Sequence, residues 1–192
     1  MTDESSKKRN FLRLEDKQII EAFKQEATRN GAFRKLVDKY KERVYWHARK
    51  IVVDHDDADD VTQEAFIKVY KNLDSFREAS QLFTWIYRIT TNEALNLLKK
   101  RSKKEGVSID EVYHELENTV DQGNLISGEE IQLKLQKALL SLPEKQRLVF
   151  NMKYFDDLKY DQIAEITGTS VGGLKASYHL AVKKIESYLT EA

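Results

Sequence analysis

The sequence predicts an all-α protein, and three observations carry the prediction. One proline and seven glycines in 192 residues leave little of the punctuation that short strands need. Apolar residues recur over long stretches at three- and four-residue steps, the period of one helical face. A composition 41% apolar and 33% charged is that of a soluble globular chain, which sets aside disorder throughout.

The elements follow in order. A short helix is expected around Ile19, Ile20 and Phe23. From Ala32 to Val53 the residues Phe33, Leu36, Val37, Tyr40, Val44, Ala48, Ile51 and Val52 form one apolar face. Asp57 to Leu73 repeats the pattern through Val61, Ala65, Phe66, Val69 and Leu73. Gln81 to Lys100 does so through Leu82, Phe83, Ile86, Ile89, Glu93/Ala94 and Leu97. These four helices make a first domain over 1–104. Between Glu105 and Glu130 periodicity is lost, acid accumulates and Gly106, Gly123 and Gly128 interrupt, so residues 105–128 are expected to be a solvated linker. A second domain over 129–192 holds a helix from Ile131 to Leu140, one started near Pro143, a short one from Tyr160 to Ile166 and a last one from Val171 to Leu189.

Totals limit the chemistry. There are 32 basic and 32 acidic residues, so affinity for an anionic partner must come from how charge is distributed. No cysteine is present, which excludes disulfides and thiolate metal sites or nucleophiles and permits a reducing, cytoplasmic setting. The polar start and the lack of a long apolar run lead us to expect neither a signal peptide nor a membrane span.

On the fourth helix Trp85, Arg88, Asn92, Asn96, Lys99 and Lys103 step by three or four and share a face opposite the apolar one. An aromatic, two amides and three cations suit single-stranded nucleic acid: the ring stacks on a base, amides bond base edges and cations pair with phosphates. The preceding loop offers Phe76 and Arg77, and Phe76 is placed to wall a pocket for an extruded base. The competing interpretation makes Trp85 and Phe76 core and the rest a solvated face. The run Lys99, Lys100, Arg101, Ser102, Lys103, Lys104 favours phosphate binding, since a helix C-terminus needs only one or two cations.

Asp54, Asp56, Asp57, Asp59 and Asp60 crowd the start of the third helix, with Gln63 and Glu64 one turn on. The helix dipole accounts for some of these carboxylates, and five exceed that need, which points to a basic protein partner or a metal. His47 and the adjacent His55 and Asp56 set a metal phosphohydrolase beside the first option, although His47 lies on a helix face that includes Val44, Ala48 and Ile51. Near the C-terminus, Tyr160 to Ile166, then Thr167 to Ser170, then the last helix have helix-turn-helix proportions. Gly168 suits the left-handed turn and Ser170 the cap, while Lys175, His179 and Lys183 form a stripe that would face a major groove.

Asp57 to Phe66, Asp74 to Arg77 and Phe83 to Asn92 resemble, in order and spacing, the first conserved domain of extracytoplasmic-function sigma factors of the sigma-70 family. Leu142-Pro143-Glu144, Tyr160 to Ala164 and Val171 to Lys175 resemble the second. The resemblance covers roughly residues 14–104 and 129–190. It implies an RNA polymerase sigma subunit that catalyses nothing itself and needs no cofactor or metal. Asp57, Asp60, Gln63 and Glu64 would dock on the clamp helices of the core, and the surface from Pro143 to Phe155 on the flap. Phe76, Arg77, Trp85, Arg88, Asn92, Asn96, Lys99, Lys100 and Arg101 would take the minus-ten single strand; Ser170, Lys175, Ser177, His179 and Lys183 would take the minus-thirty-five duplex. An anti-sigma factor is a further partner frequent in the family.

The chain departs from the family pattern at Glu78, where a glycine is usual, and at Lys159, where a capping serine is. Ser177, Leu180 and Val182 stand where arginines are common. A helix-turn-helix regulator acting without polymerase is the rival function, and it leaves the acidic helix and the aromatic-amide stripe without a use.

Overall fold

The structure is a computed structural model in which residues 14–77, 81–113 and 130–191 are described. Among these residues every regular element is helical: α1 over 14–23, α2 Arg29–Val52, α3 His55–Asn72, α4 Leu82–Glu105, α5 over 109–113, α6 Glu130–Leu140, α7 Glu144–Phe150, α8 Tyr160–Thr167 and α9 Val171–Glu191. The chain divides into two compact units, Met1–Arg49 with Asp54–Glu93 and Lys50–Val53 with Ala94–Ala192.

In the first unit α1 is tied to α2 by a polar staple. Lys39 Nζ donates to Glu15 at 2.7 Å and to Asp16 at 2.8 Å, and the Tyr40 hydroxyl donates to the same Asp16 carboxylate at 2.8 Å. Burial, reinforced by that carboxylate, pushes the Tyr40 phenol well above its ordinary range, so it remains a donor at every physiological pH. Beneath lie Phe23, Leu36, Val44, Ala48, Val61, Ala65, Val69 and Ile86, while the expected Phe33, Val37 and Ile89 are only half-buried; further along α4 it is Leu98 that is buried and the expected Leu97 that is half-buried. His47 is part of this core: its Nε2 lies 2.8 Å from Thr91 Oγ1 and its ring stacks on Tyr87 at 4.3 Å. Packing, rather than ligation, accounts for it.

The joint between α2 and α3 is tighter than the periodicity implies. Val53 takes φ 67, a sparsely occupied conformation for a β-branched residue, and ends α2. Asp54 then caps α3 by accepting from the Asp57 amide at 3.0 Å, so the helix begins at His55, two residues before the expected Asp57.

The acidic stretch expected to be wholly linker contains α5. Ser108 and Glu111 cap each other, the Glu111 amide donating to Ser108 Oγ at 3.1 Å, and Val112 and Tyr113 are buried. Two buried apolar residues in an acidic run carry no period, and their partners lie elsewhere in the chain, Arg147 over the Tyr113 ring among them. The remainder of the expected linker, residues 114–128, lies outside the described residues.

The second unit centres on Arg147. Its guanidinium, 3% exposed, donates from Nη1 to the carbonyls of Leu140 at 3.0 Å and Leu142 at 2.9 Å, closing the turn between α6 and α7. It also lies over the Tyr113 ring. Burial lowers the Arg147 pKa from its usual value and pushes the Tyr113 phenol up to about 12. The Tyr113 hydroxyl donates to the Ile51 carbonyl at 2.6 Å, which brings residues 50–53 into this unit. Nearby, Ala138, Leu142, Phe150, Ala181 and Ile185 form the core against which α6, α7 and α9 pack. After α7 the backbone widens into a π-helical turn, Asn151–Phe155, which leaves Tyr154 and Phe155 exposed.

Replacing Arg147 by Ala removes the donor from two carbonyls and leaves the Tyr113 face unfilled. The loss should be roughly 2–4 kcal/mol, read as a lower urea midpoint for the full chain at an unchanged m-value. An unmoved midpoint would show that the turn holds without it.

Candidate nucleic-acid interface

The helix α4 positions most of the polar candidates. Its period buries Leu82, Phe83, Ile86, Tyr87, Thr90, Thr91, Ala94 and Leu98, and so Arg88, Asn92, Asn96, Lys99, Lys100 and Lys103 all emerge on exposed positions. Glu93, in the apolar register, is mostly covered and meets Lys68 of α3 at 2.6 Å. Arg101 is partly covered and engaged by Glu105 at 3.0 Å, so a phosphate would compete with a carboxylate for it.

Phe76 differs from its expected role as the open wall of a pocket. It follows the 3₁₀ turn Leu73–Ser75, donates its amide to the Leu73 carbonyl at 3.1 Å, and is 8% exposed. Its ring packs on Trp85 at 5.2 Å between centroids. A loop phenylalanine loses about 2 kcal/mol if left in water, and the half-buried indole is the apolar surface at hand. Trp85 is therefore the ring that presents a face on α4, and Phe76 backs it. Arg77 is exposed beside them, and Glu78 lies outside the described residues.

On α3, Asp60, Gln63 and Glu64 are exposed and successive in helical register, while Asp57 is partly covered and supplies the amide that Asp54 caps. The stripe continues to Ile67, which is 46% exposed. Sequence reasoning passed over Ile67, although its signal was there: an isoleucine standing off the apolar register of its own helix. His55 and Asp59 are occupied elsewhere, His55 Nδ1 lying 2.6 Å from the Tyr45 hydroxyl and its Nε2 3.7 Å from Asp59.

In the second unit Gly168 takes φ 70 and closes α8, and Ser170 Oγ accepts from the Gly173 amide at 3.3 Å to cap α9. Lys175, His179 and Lys183 are exposed along one line of α9, whereas Ser177 is half-buried. Of the three positions where arginines were missed, Val182 packs against the core cluster and Leu180 is open to water. Lys159 cannot accept a hydrogen bond at the head of α8, and Gln162 Oε1 supplies half a capping box by accepting from the Lys159 amide at 3.0 Å. Cations converge there as well, Lys153 and Lys175 each standing within 6 Å of the Tyr160 ring at 5.7 and 5.9 Å.

A helical domain with a polar-aromatic stripe, followed by a helix-turn-helix, defines a class whose sequence models match here: Sigma-70 region 2 over residues 36–104 and Sigma-70, region 4, over 132–185. Relatives cover most of the chain. The ECF RNA polymerase sigma factor SigW of Bacillus subtilis (strain 168) is 30% identical over 83% of this chain and 90% of its own length. The RNA polymerase sigma-H factor of Pseudomonas aeruginosa is 31% identical over 91% and 94%. The ECF RNA polymerase sigma-E factor of Escherichia coli (strain K12) is 34% identical over 81% and 85%. The chain belongs to the extracytoplasmic-function sigma factors, the sigma subunits of RNA polymerase. Its fold is also similar to that of the sigma factor RpoE solved with the anti-sigma factor NepR from Bartonella quintana, with TM-score 0.64 and 22% identity over 82% of this chain and 96% of that one. CnrH, solved with the cytosolic domain of CnrY, gives TM-score 0.65 and 18% identity over 93% and 97%. Among the described residues no helix is long and apolar enough to cross a membrane.

Because Phe76 covers one side of Trp85, replacing it by Ala should open the indole to water. In a Trp46→Phe background, emission should shift to the red, quenching by acrylamide should rise, and stability should fall by about 3 kcal/mol. Unchanged emission would place Trp85 in a different environment.

Proposed function

We propose that this sigma factor divides its work between exposed faces of three helices. The acidic stripe of α3, Asp57, Asp60, Gln63 and Glu64 with Ile67, docks on a basic surface of core polymerase. Carboxylates give such a contact its orientation and on-rate, and the isoleucine supplies apolar area at one end of the stripe. The stripe of α4, with Trp85, Arg88, Asn92 and Asn96, takes the unpaired strand at the minus-ten element, and Lys99, Lys100 and Lys103 pair with flanking phosphates. Arg77 extends that cationic edge. Lys175, His179 and Lys183 of α9 approach the minus-thirty-five duplex; Ser170 contributes from the helix start and Ser177 at the margin. The exposed aromatic pair Tyr154 and Phe155 suits the flap.

The observation that carries this reading is the sorting of charge by helix. Asp60, Gln63 and Glu64 stand exposed on α3, while α4 exposes cations and amides and no carboxylate from Arg88 to Lys104. Functional limits of 1–104 and 129–192, with 105–128 joining them, draw support from the matched regions 36–104 and 132–185, although the packing assigns residues from Ala94 onward, α5 included, to the second unit. The protein contributes no covalent chemistry and no cofactor; melting is driven by binding the unpaired strand. An anti-sigma factor belongs among its partners, in line with the complexes of the two solved relatives, and the working place is the cytoplasm, where the polymerase is.

Two outcomes test the assignment. Asp60→Lys with Ile67→Asp should weaken binding to core polymerase by about tenfold or more, a change of about 1.4 kcal/mol or greater, with helix content retained. Asn92→Ala should keep core affinity and relax base preference at one non-template position by roughly 1–3 kcal/mol, read by run-off transcription on matched and mismatched promoters, duplex and pre-opened. A regulator independent of polymerase would show neither effect and would not be retained by core in a pull-down.

A further inference from the structure

The carboxylate of Glu93 has no place in an apolar stripe unless something holds it. Its side chain is 14% exposed, on the face of α4 that buries Ile86, Thr90 and Ala94, and Lys68 Nζ of α3 meets it at 2.6 Å. Lys68 is also within reach of a second acceptor on its own helix, Glu64 Oε1 at 3.9 Å. One ammonium thus faces two carboxylates of different situation: Glu93, close and covered, and Glu64, distant and 50% exposed. Glu64 lies on the docking stripe of α3, and Glu93 directly follows Asn92 of the reading stripe.

We infer that Lys68 is a positioning residue that pins the rotation of α4 to α3 and lets docking on one helix steady base reading on the other. This rests on the functions proposed above for the two stripes. A charged pair at hydrogen-bond distance with one partner largely covered is strongly directional, because any turn of α4 about its axis would move the carboxylate away from the ammonium into an apolar surface. Apolar contacts alone fix that angle less sharply, since they tolerate sliding. When a cation of the core pairs with Glu64, the second pull on Lys68 is withdrawn and its charge is left to Glu93. The pair tightens at the moment the reading face is needed.

Lys68→Met keeps the stem of the side chain and removes the charge, and Glu93→Gln keeps the shape of the acceptor and removes its charge. Both holoenzymes should fold and should bind core within about threefold of the parent, because neither Lys68 nor Glu93 belongs to the docking stripe of α3. Each should lose about tenfold of its preference for the matched base at the non-template position read by Asn92, measured by run-off transcription on a pre-opened template at saturating core. The double variant should lose no more than either single one, as expected for two residues acting as a unit. Lys68→Arg should restore the preference, which a merely structural loss would not allow. Full preference in both single variants overturns the inference, as does a loss that Lys68→Arg fails to restore or that adds up in the double variant. If Asn92→Ala itself leaves preference intact, the reading of the stripe has failed; if Asn92→Ala relaxes it and Lys68→Met does not, only the role of Lys68 has.

Discussion

Much of the first unit depends on one constraint: α4 must be anchored hard enough on one face for the other to carry its indole, amides and cations to the surface. Anchoring comes from Tyr87, buried between Phe83 at 4.2 Å and His47 at 4.3 Å, and from the hydrogen bond of His47 with Thr91. Thr91 in turn donates to the Tyr87 carbonyl at 2.8 Å, so hydroxyl, imidazole and backbone are linked in one buried chain. A core of hydrocarbon alone would hold α4 by shape; this one also specifies which residue faces which. Arg88, Asn92 and Asn96 inherit their direction from that choice.

Much of this could be read from the sequence, because helical period is a property of neighbours. Most apolar residues of α2, α3 and α4 are buried where the spacing placed them, Phe33, Val37, Ile89 and Leu97 being half-buried instead, and Gly168 and Ser170 do what a turn and a cap require. What escaped has no period. Phe76 is a single aromatic in a loop, and its association with Trp85 depends on where the loop folds back. Asp54, one of five crowded aspartates, could not be told apart as the cap. Val112 and Tyr113 sit in a stretch whose composition reads as solvated, and Tyr113 is ordered by Arg147 from more than thirty positions away. The Glu93 carboxylate looked like an interruption of an apolar face because its partner is on another helix.

The second unit solves a different problem with few residues. Its helices are short, α7 and α8 having seven and eight residues, and helices of this length are held by tertiary contacts rather than by propensity. Arg147 ties the carbonyl ends of α6 to the start of α7. Phe150 joins Tyr154 at 5.2 Å and Tyr178 at 5.7 Å, so that a chain of rings runs from the π-helical turn to α9. Widening that turn by one residue is what carries Tyr154 and Phe155 outward while Met152 remains in the core.

The even balance of 32 basic and 32 acidic residues acquires meaning once the charges are sorted by helix. At long range the molecule has no monopole, and a polyanion neither attracts nor repels it as a whole. What remains is local: acid gathered at the start of α3, and base gathered at the end of α4. Such local charge is felt by a polyanion only within about a screening length, about 8 Å at physiological salt. For the basic run at the end of α4 and a phosphate backbone, attraction is therefore a matter of close approach, where the local charge outweighs a total that cancels.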